Sequence, residues 1–201
     1  MQIGLVPVSA KPYHIGHHSL VETASSDNDI VFLFVSVSDR NREGEFPISG
    51  KDMHRIWREE LESIMPSNVN IEYGGSPVRK TYQKIQEAVA EGSEDVFTIY
   101  SDVEDSANNY PFDSRDKYMQ PLYGAGQVVF AAEEDPQAFT RGQGTPDVSG
   151  GKLRHYLESK NFERFADYMP PGVDAQNIFD ILSKGGIKET LVRDFVFAVL
   201  K

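Results

Sequence analysis

The chain has 201 residues and a mass of 22.5 kDa, and its 39% hydrophobic and 25% charged residues are typical of a soluble globular domain, which excludes a wholly disordered chain. Because 31 Asp and Glu outnumber 20 Lys and Arg, the net charge is -11, and general binding to nucleic acid is not expected. The absence of cysteine excludes disulfides, thiolate metal sites and Cys nucleophiles. No stretch approaches the ~20 apolar residues that span a membrane, so we expect a cytoplasmic protein that binds no membrane.

Five short apolar runs rich in β-branched and aromatic residues predict β-strands. They are Gln2 to Val8, Ile30 to Val37, Val69 to Tyr73, Asp95 to Tyr100 and Gln127 to Ala132. Segments with helical spacing alternate with these runs, which predicts an α/β fold with an open parallel five-stranded sheet and helices on both faces. The second and fifth runs are apolar at nearly every position, so they are predicted to be the central strands.

Local signals also predict where helices and loops lie. Ser49 with Asp52, and Ser76 with Pro77, indicate two helix starts. The stretches from Ser101 to Arg115 and from Arg141 to Gly151 are predicted to be long loops, the second leading into a helix at Lys152. We expect one domain over 1–201, with a helical C-terminal part over about 152–201.

The string Pro12-Tyr13-His14-Ile15-Gly16-His17 follows the first predicted strand and opens the next predicted helix. In an open α/β sheet, ligands bind at that point, where a helix N-terminus offers N–H groups to an anion. Two imidazoles three residues apart can donate hydrogen bonds to one phosphate group. Two alternatives stay open: histidines that only cap the helix, with His18 as a third, and a metal site, for which no nearby carboxylate pattern is present.

This string resembles the first signature of the HIGH-motif nucleotidyltransferase superfamily, whose fold is Rossmann-like. Its second signature, Ile-Ser-Ser/Gly-Thr-x-x-Arg, resembles Val148-Ser-Gly-Gly-Lys-Leu-Arg154. The chain departs from the family at Gly151, where the family has threonine, and at Val8 and Ala10, where it has glycine and an aromatic residue. The opening from Val6 also looks similar to phage-encoded, cytidylyltransferase-like members, for which the location would be the host cytoplasm.

The resemblance implies attack by a phosphate oxygen on the α-phosphorus of a nucleoside triphosphate, with release of pyrophosphate. It gives catalytic roles to His14, His17, Lys11 and Arg154. It assigns nucleotide binding to Val6, Pro7, Pro12, Gly16, Ser149, Gly150, Gly151 and Lys152. Mg²⁺ would bridge substrate phosphates, and no protein metal cage is expected.

Two of these assignments have simpler alternatives. Lys11 can be a solvated loop lysine. Arg154 can pair with Glu158 four residues later on the same helix face, a contact that contributes only a few tenths of a kcal/mol.

Three further residues are candidates for the acceptor site. Asp102 follows the fourth predicted strand, Arg40 the second and Arg79 the third. In an acidic protein, basic groups at strand ends are notable, although a solvated surface role remains an alternative for each. The spacing of Trp57 indicates the core.

The leading hypothesis is therefore an enzyme that transfers a nucleoside monophosphate from ATP to a phosphorylated small molecule such as nicotinamide mononucleotide. Cytidylyl transfer from CTP is an alternative, and a non-catalytic nucleotide sensor is another, motivated by Gly151. Length and acidity argue against an aminoacyl-tRNA synthetase. Oligomers are common in the family, so the resemblance also allows a homo-oligomer.

Overall fold

The computed structural model describes residues 1–184. The predicted helical C-terminal part beyond residue 184 lies outside the described residues. By its internal contacts the chain divides into two compact units. The first comprises residues 1–9, 16–36 and 65–147, and the second comprises 10–15, 37–64 and the chain from 148 onward. The expectation of a single domain stays a prediction.

The first unit contains a five-stranded sheet in which every pair of neighbouring strands is parallel. Its order is β3-β2-β1-β4-β5. The strands are β1 (Gln2–Val8), β2 (Ile30–Val35), β3 (Val69–Tyr73), β4 (Val96–Ile99) and β5 (Val128–Phe130). All five predicted strands are present, and the bounds of the first and third match the prediction.

This unit contains five helices, of which the first four connect the strands and the last follows β5. They are α1 (Ile15–Asp27), whose first residue is grouped with the second unit, α3 (Pro77–Glu91), α4 (Val103–Asn109), α5 (Phe112–Met119) and α6 (Ala131–Glu134). The predicted start of α3 is confirmed, since the Ser76 side chain accepts the Arg79 N–H at 3.4 Å and Pro77 is the first helical residue.

Helices cover both faces of the sheet. Successive side chains of a strand point to opposite faces, so neighbouring residues of β1 face different helices. Ile3 and Leu5 of β1 belong to a buried apolar cluster with Ile85 of α3. Gly4 points the other way, and a Cβ added there would lie 3.1 Å from the side chain of Asn28, directly after α1. The Rossmann-like arrangement expected from the sequence is therefore confirmed.

The prediction that the fifth run is a central strand is wrong. β1 occupies the centre and β5 is an edge strand. Val128 and Phe130 are nevertheless buried, and the Arg115 guanidinium lies 3.7 Å from the centre of the Phe130 ring. A strand that is apolar at nearly every position is therefore predicted to be covered on both faces, but its position in the sheet cannot be predicted from this pattern.

The predicted loop from Ser101 to Arg115 is also wrong, because α4 and the start of α5 occupy it. Asp102 caps α4 by accepting the Asp105 N–H at 2.8 Å, and two acidic residues in the first turn suit the helix dipole. The segment is polar because most of its side chains face solvent, whereas Tyr110 is fully buried.

The second unit is helical in its described part. It contains α2 (Gly50–Ile56), α7 (Gly150–Glu158), α8 (Phe162–Ala166) and a helical segment over 175–184. After α2 the chain continues as a π-helical turn, Trp57–Leu61, and a short 3₁₀ helix, Glu62–Ile64. The helix predicted to begin at Lys152 begins two residues earlier, at Gly150.

The core of the second unit confirms two predictions. Ser49 caps α2 by accepting the Asp52 N–H at 3.2 Å. Trp57 is buried, and its ring contacts that of Tyr13 edge to face at 4.8 Å between centroids. The buried indole therefore packs in the core and is not a surface platform for a nucleotide base.

Candidate functional site

Along the chain, the histidine motif contains residues of both compact units. His14 directly precedes α1 and belongs to the second unit, whereas His17 lies in the first turn of α1 and belongs to the first unit. Gly16 lies between them in the chain, in that same turn. His14 is buried.

A group of hydrogen bonds and ion pairs centred on the buried Arg154 links the two predicted motifs within the second unit. Arg154, in α7, donates from Nη1 to the backbone carbonyl of Lys11 at 2.7 Å. Its Nη2 lies 3.1 Å from Glu45 Oε2. Glu45 in turn accepts two hydrogen bonds from Arg40, at 2.7 and 2.9 Å. The alternative in which Arg154 pairs with its helix neighbour Glu158 is therefore wrong.

The glycine at the start of α7 permits this arrangement. A Cβ added to Gly150 would lie 3.0 Å from both Arg154 Nη1 and the Lys11 carbonyl oxygen. Such contacts are tighter than side chains normally tolerate, so any larger residue would push the guanidinium away from the loop. The same addition at Gly151 would meet only ordinary contacts, at 3.6 Å or more.

The rest of the second motif forms the first turn of α7. Ser149 caps the helix, and its Oγ accepts the Lys152 N–H at 3.2 Å. The Lys152 ammonium lies 4.8 Å from the centre of the Tyr168 ring, a cation–π contact that holds the side chain without neutralising its charge. The hydroxyl that threonine would supply at position 151 is absent.

Arg40, Arg42 and Arg154, together with Lys11, whose backbone carbonyl accepts the hydrogen bond from Arg154, form what we call the cation cluster. Burial lowers the pKa of Lys11 to about 8, although Asp39 opposes the shift. Burial, followed by the charges of Arg40 and Arg42, also lowers the pKa of Arg154.

Glu45 offsets part of the positive charge. The hydrogen bonds that it accepts from Arg40 lower its pKa, which favours the negatively charged carboxylate. Burial contributes most to the lowered pKa of Arg154, and the charge of Arg40 lowers it by more than the charge of Glu45 raises it. The alternative of a solvated Lys11 is wrong, because this residue is buried.

A second polar cluster lies within the first unit. Asp102 pairs with Arg141, which also lies 3.7 Å from Asp105. Nδ1 of His17 is buried although its ring is partly exposed. Burial and the nearby Arg141 charge lower the pKa of His17 to about 4, against the opposite effect of Asp102. His17 is therefore neutral at pH 7, with one N–H to donate.

We expect NMR titration of the His17 ring to show this arrangement directly. Its midpoint should lie near pH 4, because the folded protein disfavours the imidazolium. Arg141→Gln should raise the midpoint by removing a positive charge, and Asp102→Asn should lower it further. An unshifted midpoint near the ordinary histidine value of 6.5, or shifts of the opposite sign in the two variants, would contradict the assigned contacts.

Three further predicted residues lie in β1 or the loop before α1, and a fourth lies on α3. Val6 is fully buried in β1, and Pro7 beside it is half-buried. Pro12 is buried in the loop before α1. Arg79 is exposed near the start of α3, and its role as an acceptor ligand stays a prediction.

Sequence reasoning missed Glu45 and Arg141. Glu45 follows Arg40 by five residues, which was a usable signal for an ion pair. Arg141 opens the glycine-rich segment predicted to be a long loop, but nothing in the sequence specified Asp102 as its partner.

Two features are absent from the described residues 1–184. No group of three or more His, Asp or Glu side chains there is arranged to hold a metal ion. No helix in that part of the chain has the length and apolarity needed to cross a bilayer.

The fold and the site define the class of protein. It is a Rossmann-like α/β protein whose cation cluster includes Arg154 of the second motif. Residues 3–64 match the family model of the citrate lyase ligase C-terminal domain. That domain is adenylyltransferase-like, which agrees with the resemblance to nucleotidyltransferases. The match supports a nucleotidyltransferase-like enzyme. Among curated proteins, none matches the chain at a significant level.

Proposed function

We propose that the protein transfers a nucleoside monophosphate from a nucleoside triphosphate, ATP by preference, to a phosphorylated small molecule such as nicotinamide mononucleotide. The cation cluster is the observation that carries this proposal. Burying positive charge is costly, and a bound triphosphate would neutralise it. The matched adenylyltransferase-like domain covers Lys11, Arg40, Arg42 and Glu45, which favours adenylyl over cytidylyl transfer.

In the proposed reaction an oxygen of the acceptor's phosphate attacks the α-phosphorus in line. The bond to the bridging oxygen breaks, and pyrophosphate leaves with the electron pair. No covalent intermediate on the protein is needed, so catalysis consists of positioning and charge stabilisation.

Each residue then has one task. The Lys11 ammonium and the Arg154 guanidinium offset charge on the β- and γ-phosphates. The resemblance also assigns phosphate contacts to His14 and His17, and the neutral His17 would donate through its single N–H. Donors of this kind act on charge that grows in the transition state, and each typically contributes about 10²–10³ in rate.

Mg²⁺ would arrive with the triphosphate and reduce its negative charge. Ligands of this ion are oxygens, and the cation cluster offers it little, so the phosphates themselves would hold it.

The test is pyrophosphate release by the full chain with Mg²⁺ and each of the four ribonucleoside triphosphates. The acceptor panel should contain phosphorylated small molecules, including nicotinamide mononucleotide. We expect turnover with one pair, lost in His17→Ala.

The other outcomes discriminate clearly. Turnover with CTP would favour cytidylyl transfer. Nucleotide binding with no turnover across the panel would favour the sensor suggested by Gly151. Neither binding nor turnover would refute the proposal.

A further inference from the structure

An open cavity of about 500 Å³ lies within the first unit. Side chains of α1, β4 and β5, together with α6 and the loop over 135–145, form its walls. It shares no residue with the cation cluster, which belongs to the second unit. A volume of this size suits a small organic ligand.

The inner wall of the cavity is apolar and aromatic. Leu20, Ala131, Tyr100 and Phe139 line it and are buried. The rings of Tyr100 and Phe139 lie 6.0 Å apart between centroids. The Tyr100 hydroxyl accepts a hydrogen bond from Asn28 at 2.9 Å and donates one to Asp27 at 3.2 Å, which fixes the ring. This wall can hold a flat or aliphatic body.

The outer edge of the cavity is acidic. Asp27, Glu134 and Asp135 line it and are exposed. Among the lining residues in the described part of the chain, none is Lys, Arg or His. An anion, including a phosphorylated acceptor, would be repelled here, whereas a cation would be attracted.

A buried hydroxyl gives independent support for a ligand. Thr145 lines the cavity and is 8% exposed. Within residues 1–184 its Oγ1 atom has no hydrogen-bond partner. Buried polar groups are normally satisfied, so this hydroxyl is consistent with a polar atom supplied from the cavity.

We propose that this cavity binds a small amphipathic amine, with its apolar body against the Tyr100 and Phe139 rings and its ammonium among the three carboxylates. Charge, wall composition and the unsatisfied hydroxyl all favour this chemistry. The proposal does not depend on nucleotidyl transfer, because the cavity and the cation cluster have no residue in common.

The experiment uses three probes of one shape and different charge: benzylamine, benzyl alcohol and benzoate. Each is titrated into the full chain, and binding is followed through backbone amide signals by NMR. We expect benzylamine to bind at least roughly fivefold more tightly than benzyl alcohol, because the carboxylates attract its ammonium group. The expected difference is modest because these carboxylates are exposed and water screens the attraction. Benzoate should bind most weakly. Equal affinities for the three probes would overturn the proposal, and so would no binding of benzylamine.

Variants locate the binding. Glu134→Gln should weaken benzylamine binding several-fold, while its matched control Glu94→Gln, also exposed but outside the cavity wall, should not. Thr23→Phe should fill the cavity and abolish binding. Unchanged affinity in both Glu134→Gln and Thr23→Phe would place the amine elsewhere and refute the assignment. Dispersed amide spectra of each variant check that it folds.

Discussion

Replacement of Arg154 by methionine is expected to reduce pyrophosphate release by about 10²–10³ and to destabilise the fold by about 1–3 kcal/mol. The activity falls because the guanidinium would no longer offset charge on the triphosphate. Stability falls because the Lys11 carbonyl loses its donor at 2.7 Å and Glu45 loses one of its partners. Kinetics of pyrophosphate release and thermal unfolding measure the two effects.

Two further variants sharpen this prediction. Arg154→Lys should rescue little activity, because an ammonium cannot reach both the loop carbonyl and Glu45 as the planar guanidinium does. Arg164→Gln, an exposed arginine on α8 paired with Asp167 at 3.6 Å, is the matched control and should keep full activity. Equal losses in Arg154→Met and Arg164→Gln would show that the position of the charge is unimportant, contrary to the proposed function.

Strands such as β1 and β2 could be predicted because their residues are largely buried on both faces. A run such as Ile30 to Val35 is apolar throughout, and in a chain of this size such a run favours a strand that is covered on both sides. The position of a strand in the sheet could not be predicted in the same way. β5 is as apolar as β2 because side chains such as Arg115 cover its Phe130 ring.

The helices α4 and α5 escaped prediction for a related physical reason. Both are short and mostly exposed, so their polar composition resembles that of a loop. The start of α4 depends on a cap at Asp102, and an Asp can begin a turn equally well. Tertiary contacts of buried residues such as Tyr110 decide between the two.

In the candidate site, too, some residues could be predicted from the sequence and some contacts could not. The resemblance to nucleotidyltransferases singled out Lys11 and Arg154, and in the structure the Arg154 side chain donates to the Lys11 backbone carbonyl. The ion pair between Arg154 and Glu45 could not be identified, because it joins segments far apart in the chain. Contacts of that kind depend on the fold, and a single sequence does not encode them in any local pattern.

Replacement of Lys11 by methionine is expected to stabilise the protein while weakening triphosphate binding by roughly 10- to 100-fold. Burial lowers the pKa of Lys11 from 10.5 in the unfolded chain to about 8. Below pH 8 the folded protein therefore carries a buried ammonium that the unfolded chain holds in water. This penalty amounts to about 1–3 kcal/mol, with the lower value allowing for solvent screening.

The sign of the pH dependence follows from the same shift. Between pH 8 and 10.5 the unfolded chain keeps a proton that the folded protein has lost, so the Lys11 penalty declines as pH rises through this window. Lys11→Met should therefore gain stability over the wild type at pH 7, and the gain should shrink towards pH 10. Lys160→Met, an exposed control on the same unit, should show no such trend.

Triphosphate binding should show the opposite dependence. The phosphates bind the ammonium form, so affinity should fall as pH rises above 8 and the free protein loses that proton. Calorimetry near pH 8 in buffers of different ionisation enthalpy should detect proton uptake on binding, and Lys11→Met should show less. If Lys11→Met bound the triphosphate as tightly as the wild type, Lys11 would be a structural residue, because a ligand for the triphosphate must lose affinity when its charge is removed.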